Sequence, residues 1–375
     1  MILQDIGYAI LILLFLAFMI LTHEAGHFFA ARWVGITPKT FSIGFGPEIK
    51  GWDKGGTRYA VKWFLAGGSV QILGMNPDEE ISEEEWPHSY YAAAPWRRAV
   101  VVVAGSFVHL CIAFLLFWLI FWPIGYKVLT GEIGKVQKTV KLANGQVLEA
   151  PGYQAGLKKG ETITSVDGVQ VHNWEELTTQ LQKKPGQQVA LVYKLGNRQF
   201  TTKAKLLDVA GRGILGVQVD LNSTYTQRSN PFVALGQAGR ELGRVSVALG
   251  KGIASIFSLH TLKVLLGTTQ RNQESPQSIV GATRVAFQAA GQGISVFLYV
   301  VAYLFFFLSI FNLLPLPPFD GGHLLVIIIE KVFGKRIDVR KLMPIAWAVI
   351  IVLSLVALRL AMLDIFKPLP NPFKP

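Results

Sequence analysis

The sequence predicts an α-helical membrane protein with about four transmembrane helices and a soluble α+β domain inserted between them. Three observations predict it. Only 16% of the 375 residues are charged and 51% are apolar, whereas soluble domains carry roughly 25% charged residues. The apolar residues gather into runs at 6–22, 99–124, 294–316 and 342–358 that lack Asp, Glu, Lys and Arg. Each run is close to the ~20 residues that cross a bilayer. Between the second and third runs lies a long stretch of ordinary soluble composition.

The first half of the membrane domain covers 1–124. Its first span, about 6–30, lacks a basic leading segment and a small-residue cleavage site, so it reads as a permanent span and not a signal peptide. The region 41–73 follows, with short alternating patterns at 41–47, 59–64 and 66–73 that read as strands with glycine turns. Trp96, Arg97 and Arg98 suit the interfacial entrance of the second span, about 97–122. The inserted domain covers 125–210, with strand character at 128–136, 162–166, 189–194 and 200–206. A short helix at 174–181 starts after Asn173, a good cap. Residues 211–290 read as amphipathic or linker helices, and 231–265 is Gly-rich, basic and suited to a membrane surface. The second half, 291–366, holds spans at about 294–313 and 342–363. The proline-rich tail 367–375 cannot form a helix. No internal repeat is visible.

The net charge of +12 does not indicate nucleic acid, because the basic residues form no patch with interleaved aromatics. Lys331, Lys335, Arg336, Arg340 and Lys341 fall in the short loop between the last two spans, where the positive-inside rule places cytoplasmic charge. Alternation then puts the N-terminus outside, 33–96 inside and 125–290 outside. The acidic residues between 78 and 85 count little in orientation. The single cysteine, Cys111, excludes an intramolecular disulfide.

The chemistry centres on His23-Glu24-Ala25-Gly26-His27. On a helix, residues four apart share a face, so both imidazoles can meet one metal ion. Glu24, beside them, is placed to take a proton from water activated there. These groups continue a lipid-spanning run, where ionisable side chains are costly and functional by default. Satisfied core histidines are the bland alternative, and that cost weighs against them.

Catalytic zinc usually takes three protein ligands. The third span ends in a proline-broken segment leading to Asp320, at a depth where non-helical backbone survives only inside protein or around water. Asp320 is the expected third ligand; a helix cap is its bland reading. The first and third spans run the same way, so His23, His27 and Asp320 fall at one depth, toward the cytoplasmic side. His323 is a competing ligand, disfavoured because the Gly321-Gly322 turn precedes it and a helix restarts there. His109 lies within the second span, either supporting the site or simply bonded to a neighbouring helix. Cys111 points away from it.

These motifs resemble the site-2 proteases, the membrane-embedded zinc metallopeptidases of bacterial regulated intramembrane proteolysis. The match covers nearly the whole chain: the His-Glu-x-x-His motif in the first span, Gly-Phe-Gly-Pro at 44–47, and Asn-x-x-Pro-x-Pro-x-x-Asp-Gly at 312–321. The resemblance implies that His23, His27 and Asp320 bind Zn2+, that Glu24 activates water, and that Asn312 helps hold the substrate or transition state. Segments 59–73 look like the family's membrane-associated β-hairpin, which pairs with an unwound substrate strand. Residues 154–168 are similar to the signature of a PDZ domain, and the chain carries one such domain, on the extracytoplasmic side. Three departures concern substrate handling: Gly105-Ser-Phe-Val-His109 where the family has Gly-Pro-x-x-Asn, Phe319 where Leu is common, and 279–282 where Ser-Gly-Pro is frequent.

The implied partners are the lipid bilayer and single-span membrane proteins, such as anti-sigma factors or remnant signal peptides, in the bacterial inner membrane. Two other classes compete. A metal transporter would show further His, Asp or Glu on neighbouring spans and more than four spans. A silent scaffold presenting the PDZ-like domain would have lost Glu24 or a ligand. Neither signature is present.

Overall fold

The computed structural model describes residues 2–76, 78–141, 146–256, 258–271 and 275–370. Four helical stretches among them are long and apolar enough to cross a membrane: Leu14–Trp33, Pro95–Ile124, Ile294–Asn312 and Arg340–Phe366. The chain divides into two compact units, Met1–Ile120 with Pro231–Pro375, and Phe121–Asn230.

In the first unit, α1 (Ile2–Trp33) leads into an antiparallel hairpin of β1 (Pro38–Lys54) and β2 (Thr57–Ile72). Its turn is Gly55-Gly56, both at positive φ, where glycine is free of a Cβ penalty. The long strands fold back on themselves. Residues 40–43 face 71–68 on one side and 58–61 on the other, so 40–43 are interior and 68–72 form an outer strand. Helix α2 (Pro95–Leu119) starts with a proline, whose missing N–H costs nothing there. Helices α1 and α2 meet backbone to backbone at Gly26 and Gly105. A Cβ on Gly26 would lie 2.6 Å from the Ala104 carbonyl oxygen. Small residues let helices approach this closely in membranes.

The second unit is β-rich. It contains β3 (Tyr126–Leu129), β4 (Ile133–Val136), β5 (Thr139–Lys141), β6 (Val147–Glu149), α3 (Pro151–Gln154), β7 (Thr162–Val166), β8 (Val169–Gln170), α4 (Trp174–Gln182), β9 (Gln188–Leu195), β10 (Arg198–Lys205), β11 (Leu207–Val209), β12 (Arg212–Ile214), β13 (Val217–Val219) and β14 (Thr224–Gln227). Strands β10, β9, β7 and β8 form one sheet in that order. Leu177 and Leu181 of α4 pack with Ile163, Val166, Leu191 and Leu206 in its core. Asn173 caps α4 by accepting the Glu176 N–H at 2.8 Å.

Residues 212–227, expected among linker helices, are strands. β13 pairs with β4 and β14 with β3, so the unit closes by joining its two ends. That pairing is non-local, and 217–219 is too short to declare it, whereas 212–214 pairs with its neighbour β11. In the β7–β8 turn, Asp167 sits at φ 49° and accepts the Ala190 N–H at 2.7 Å. Its ion pair with Lys184, reinforced by that N–H, holds the carboxyl below its ordinary range.

The first unit resumes with α5 (Pro231–Ile256), α6 (Leu259–Leu266), α7 (Ile279–Ala290), α8 (Ile294–Asn312), α9 (Asp320–Phe333) and α10 (Met343–Phe366). Helix α5 carries a buried stripe of Ala234, Ala238, Glu241, Val245 and Leu249. This stripe packs inward, and Glu241 there accepts hydrogen bonds from Arg244 and Tyr299 of α8. Ser309 of α8 donates to the Ser106 carbonyl of α2 at 2.7 Å. Arg98 of α2 pairs with Glu330 of α9 at 2.5 Å, both buried. Removing one partner of such a pair typically costs about 3–5 kcal/mol, so it is a strong constraint on where α9 lies.

Candidate metal centre

Three elements build the site: the end of α1, the middle of α2 and the start of α9. Helical spacing puts His23 and His27 on one face of α1, with ring centres 4.7 Å apart and the two Nε2 atoms 3.1 Å apart. Asp320 comes from the first turn of α9. The segment 313–319 before it carries three prolines and is not helical, which lets the chain turn back toward α1. The Asp320 Oδ2 lies 3.1 Å from His23 Nε2 and 3.3 Å from His27 Nε2.

The helix that carries Asp320 begins earlier than the sequence indicated. It starts at Asp320 itself, and Gly321 and Gly322 are helical instead of forming a turn. Their role is close approach. A Cβ on Gly321 would lie 2.2 Å from the Leu313 and Leu314 carbonyl oxygens, and one on Gly322 2.6 Å from the Pro317 nitrogen.

The donor atoms suit a cation better than one another. His27 Nδ1 lies 2.7 Å from the Val101 carbonyl, which can only accept. Nδ1 therefore carries the proton of the neutral ring, and Nε2 presents a lone pair to the cluster. Asp320 Oδ2 is buried and has no partner in hydrogen-bond geometry among the described residues. Two imidazole nitrogens and a carboxylate oxygen thus converge as an almost equilateral triangle of 3.1–3.3 Å. Tetrahedral zinc with ligands at ~2.0–2.1 Å holds them about 3.3–3.4 Å apart, so the triangle fits one face of that polyhedron.

Glu24 points to the other wall. Its Oε2 accepts the Val70 N–H at 2.9 Å, from the outer strand of the hairpin. Asn312 is the last residue of α8 and partly buried, before the proline segment. None of the hydrogen bonds described within the cluster involves it. His323 lies on a small cleft with Pro317, Pro318 and Leu342, outside the triangle. His109 is fully buried beside His23, ring centres 5.0 Å apart, and is not part of the triangle either. Cys111 is exposed.

Sequence reasoning missed Gly105. A Cβ there would lie 2.5 Å from His27 Nε2 and 2.8 Å from His23 Nε2, inside the space the donor atoms share. A glycine in a spanning helix gives no signal of this kind by itself. Its pairing with Gly26 inside the His-Glu-x-x-His motif was the available hint.

Against known proteins, the model of peptidase family M50 matches residues 11–357. The chain belongs to peptidase family M50, the site-2 proteases. Zinc metalloprotease Rip1 of Mycobacterium tuberculosis is 27% identical over 380 residues, covering 92% of this chain and 94% of the relative. Rip1 of Mycolicibacterium smegmatis is 28% identical over 389 residues, with the same coverages. A protein of Agrobacterium fabrum is 28% identical over 357 residues, covering 88% of each chain. Like other M50 peptidases, the chain is an integral membrane zinc metalloprotease whose cofactor is Zn2+.

Proposed function

We propose that this M50 peptidase holds zinc through His23, His27 and Asp320 and hydrolyses peptide bonds within membrane-spanning segments of other proteins. The observation that carries the reading is the triangle of donor atoms, 3.1–3.3 Å on a side, built from two distant stretches of chain. Zinc bound there supplies a Lewis acid and makes water nucleophilic near neutral pH.

The chain's own groups do the rest. Glu24, oriented by the Val70 N–H, takes the proton of the attacking water and passes it to the departing amine. Asn312, at the broken end of α8, donates to the developing oxyanion. A substrate helix must unwind before attack, which releases its internal hydrogen bonds. Because Val70 spends its N–H on Glu24, the strand 68–72 turns that edge toward the site. Residues two apart on a strand share an edge, so Gly68 presents its backbone there too. An extended substrate adds to this edge by β-augmentation and lies beside Glu24.

The unit 121–230 acts as a PDZ-like domain on the extracytoplasmic side of a bacterial inner membrane, with the site toward the cytoplasm. Single-span regulators such as anti-sigma factors, or remnant signal peptides, are the substrates in regulated intramembrane proteolysis, and the PDZ-like domain excludes those with bulky outer parts.

The test is Glu24→Gln, expressed with candidate single-span proteins. Removing a general base typically costs about 10²–10⁴-fold in rate. The variant is expected to keep its zinc and accumulate uncut truncated substrates. A Glu24→Gln protein that cleaves at the wild-type rate contradicts the reading.

A further inference from the structure

Two ring nitrogens beside the triangle have no partner among the described residues: His23 Nδ1 and His109 Nδ1, both fully shielded from solvent. Buried polar atoms almost always find partners, so each orphan calls for an explanation. The tautomers can be assigned from their neighbours. His109 Nε2 lies 2.8 Å from the Met19 carbonyl oxygen, an obligate acceptor, so Nε2 carries the proton and Nδ1 presents a lone pair. His23 turns Nε2 into the donor triangle. When that atom binds a cation as a lone pair, the proton of the neutral ring sits on Nδ1. One orphan is therefore a donor and the other an acceptor, on rings whose centres lie 5.0 Å apart.

We infer that His109 is a positioning residue for His23: its Nδ1 accepts the Nδ1 proton of His23 after a small rotation of the rings. This rests on the ligand assignment above and adds to it. The rest of the pocket keeps His109 beside His23. Phe305 meets its ring edge-on at 5.1 Å, Thr22 Oγ1 lies 3.5 Å from Nε2, and the residue is 1% exposed. His27 already has such a partner in the Val101 carbonyl, so His109 gives the second histidine the same kind of support. Acceptors of this type fix ring orientation, and losing one typically costs about 10–100-fold in metal affinity.

The experiment measures zinc affinity by chelator competition for the wild type, His109→Leu and His109→Asn. Histidine-selective ¹⁵N NMR of the zinc-loaded wild type accompanies it. Leucine keeps bulk but removes the acceptor; asparagine restores a carbonyl oxygen. The expected result is a 10–100-fold weaker affinity for His109→Leu, near-complete rescue by His109→Asn, and a wild-type His109 protonated at Nε2 with a bare Nδ1. Equal affinities for wild type and His109→Leu would overturn the inference alone, as would equal losses in both variants. If His109→Leu does not fold, the NMR signal decides, since a proton on His109 Nδ1 refutes the acceptor role. A wild type that binds no zinc overturns both this inference and the ligand assignment.

Discussion

The two units of this chain reach order by different means. The unit 121–230 is held by an ordinary apolar core, with Ile133, Ile163, Leu177 and Leu191 at 1% exposure or less. The helical unit also buries an apolar cluster around Val101, Val102 and Ile327, and adds polar or side-chain-free contacts to it. They include Gly26 against Gly105, Arg98 against Glu330, Ser309 against Ser106 and the triangle of His23, His27 and Asp320. In water the sorting of apolar from polar residues does the work. In lipid, where every neighbour is apolar, close packing and polar pairs must provide specificity. A given substitution should therefore act locally and differently in each unit.

The largest expected effect is at Gly105. Gly105→Ala puts a methyl group where the donor atoms converge, and should weaken zinc binding by at least the ~100-fold seen when a supporting partner is lost. Chelator competition measures it, and wild-type affinity in Gly105→Ala would show that the rings have room to spare. Next is Leu177→Ala in α4, which removes a fully buried core side chain and should destabilise 121–230 by about 2–5 kcal/mol. Hydrogen exchange should show the loss confined to that unit, with zinc affinity unchanged. A weakened zinc site would show that the two units do not respond separately.

The smallest effect is electrostatic. Asp167 has a lowered pKa because of Lys184 and the Ala190 N–H, so it stabilises the fold only when ionised. The contribution is present above the unfolded carboxyl value of about 3.9 and fades as pH falls through the lower folded value. The group is mostly solvated, so Asp167→Asn should cost under ~1 kcal/mol near neutral pH. The difference from wild type should vanish in acid, as followed by denaturant unfolding at several pH values. A difference that persists at pH 2 would assign the effect to the turn and not to the charge.

The same contrast governs what the sequence revealed. His23, Glu24 and His27 stood out because ionisable groups are expensive in a spanning helix, and Asp320 because it follows a proline-broken span. The supports did not stand out. Gly105 looks like any glycine in a membrane helix, and the Val101 carbonyl and Val70 N–H are backbone atoms that no residue pattern marks. In the inserted unit, 162–166 and 189–194 alternate clearly enough to be read as strands. The strand at 217–219 is short, and depends on a partner at 133–136 far away in sequence. The hairpin hid more. Nothing in its alternation says that residues 40–43 pair on both edges.

Zinc-edge X-ray absorption with metal quantification, on purified wild type and on Asp320→Ala, tests whether His23, His27 and Asp320 hold zinc. One zinc per wild-type chain is expected, with two imidazole nitrogens and a carboxylate oxygen at about 2.0–2.2 Å, and its loss from Asp320→Ala. A wild type without zinc, or an Asp320→Ala protein with the same metal content and spectrum, would contradict it.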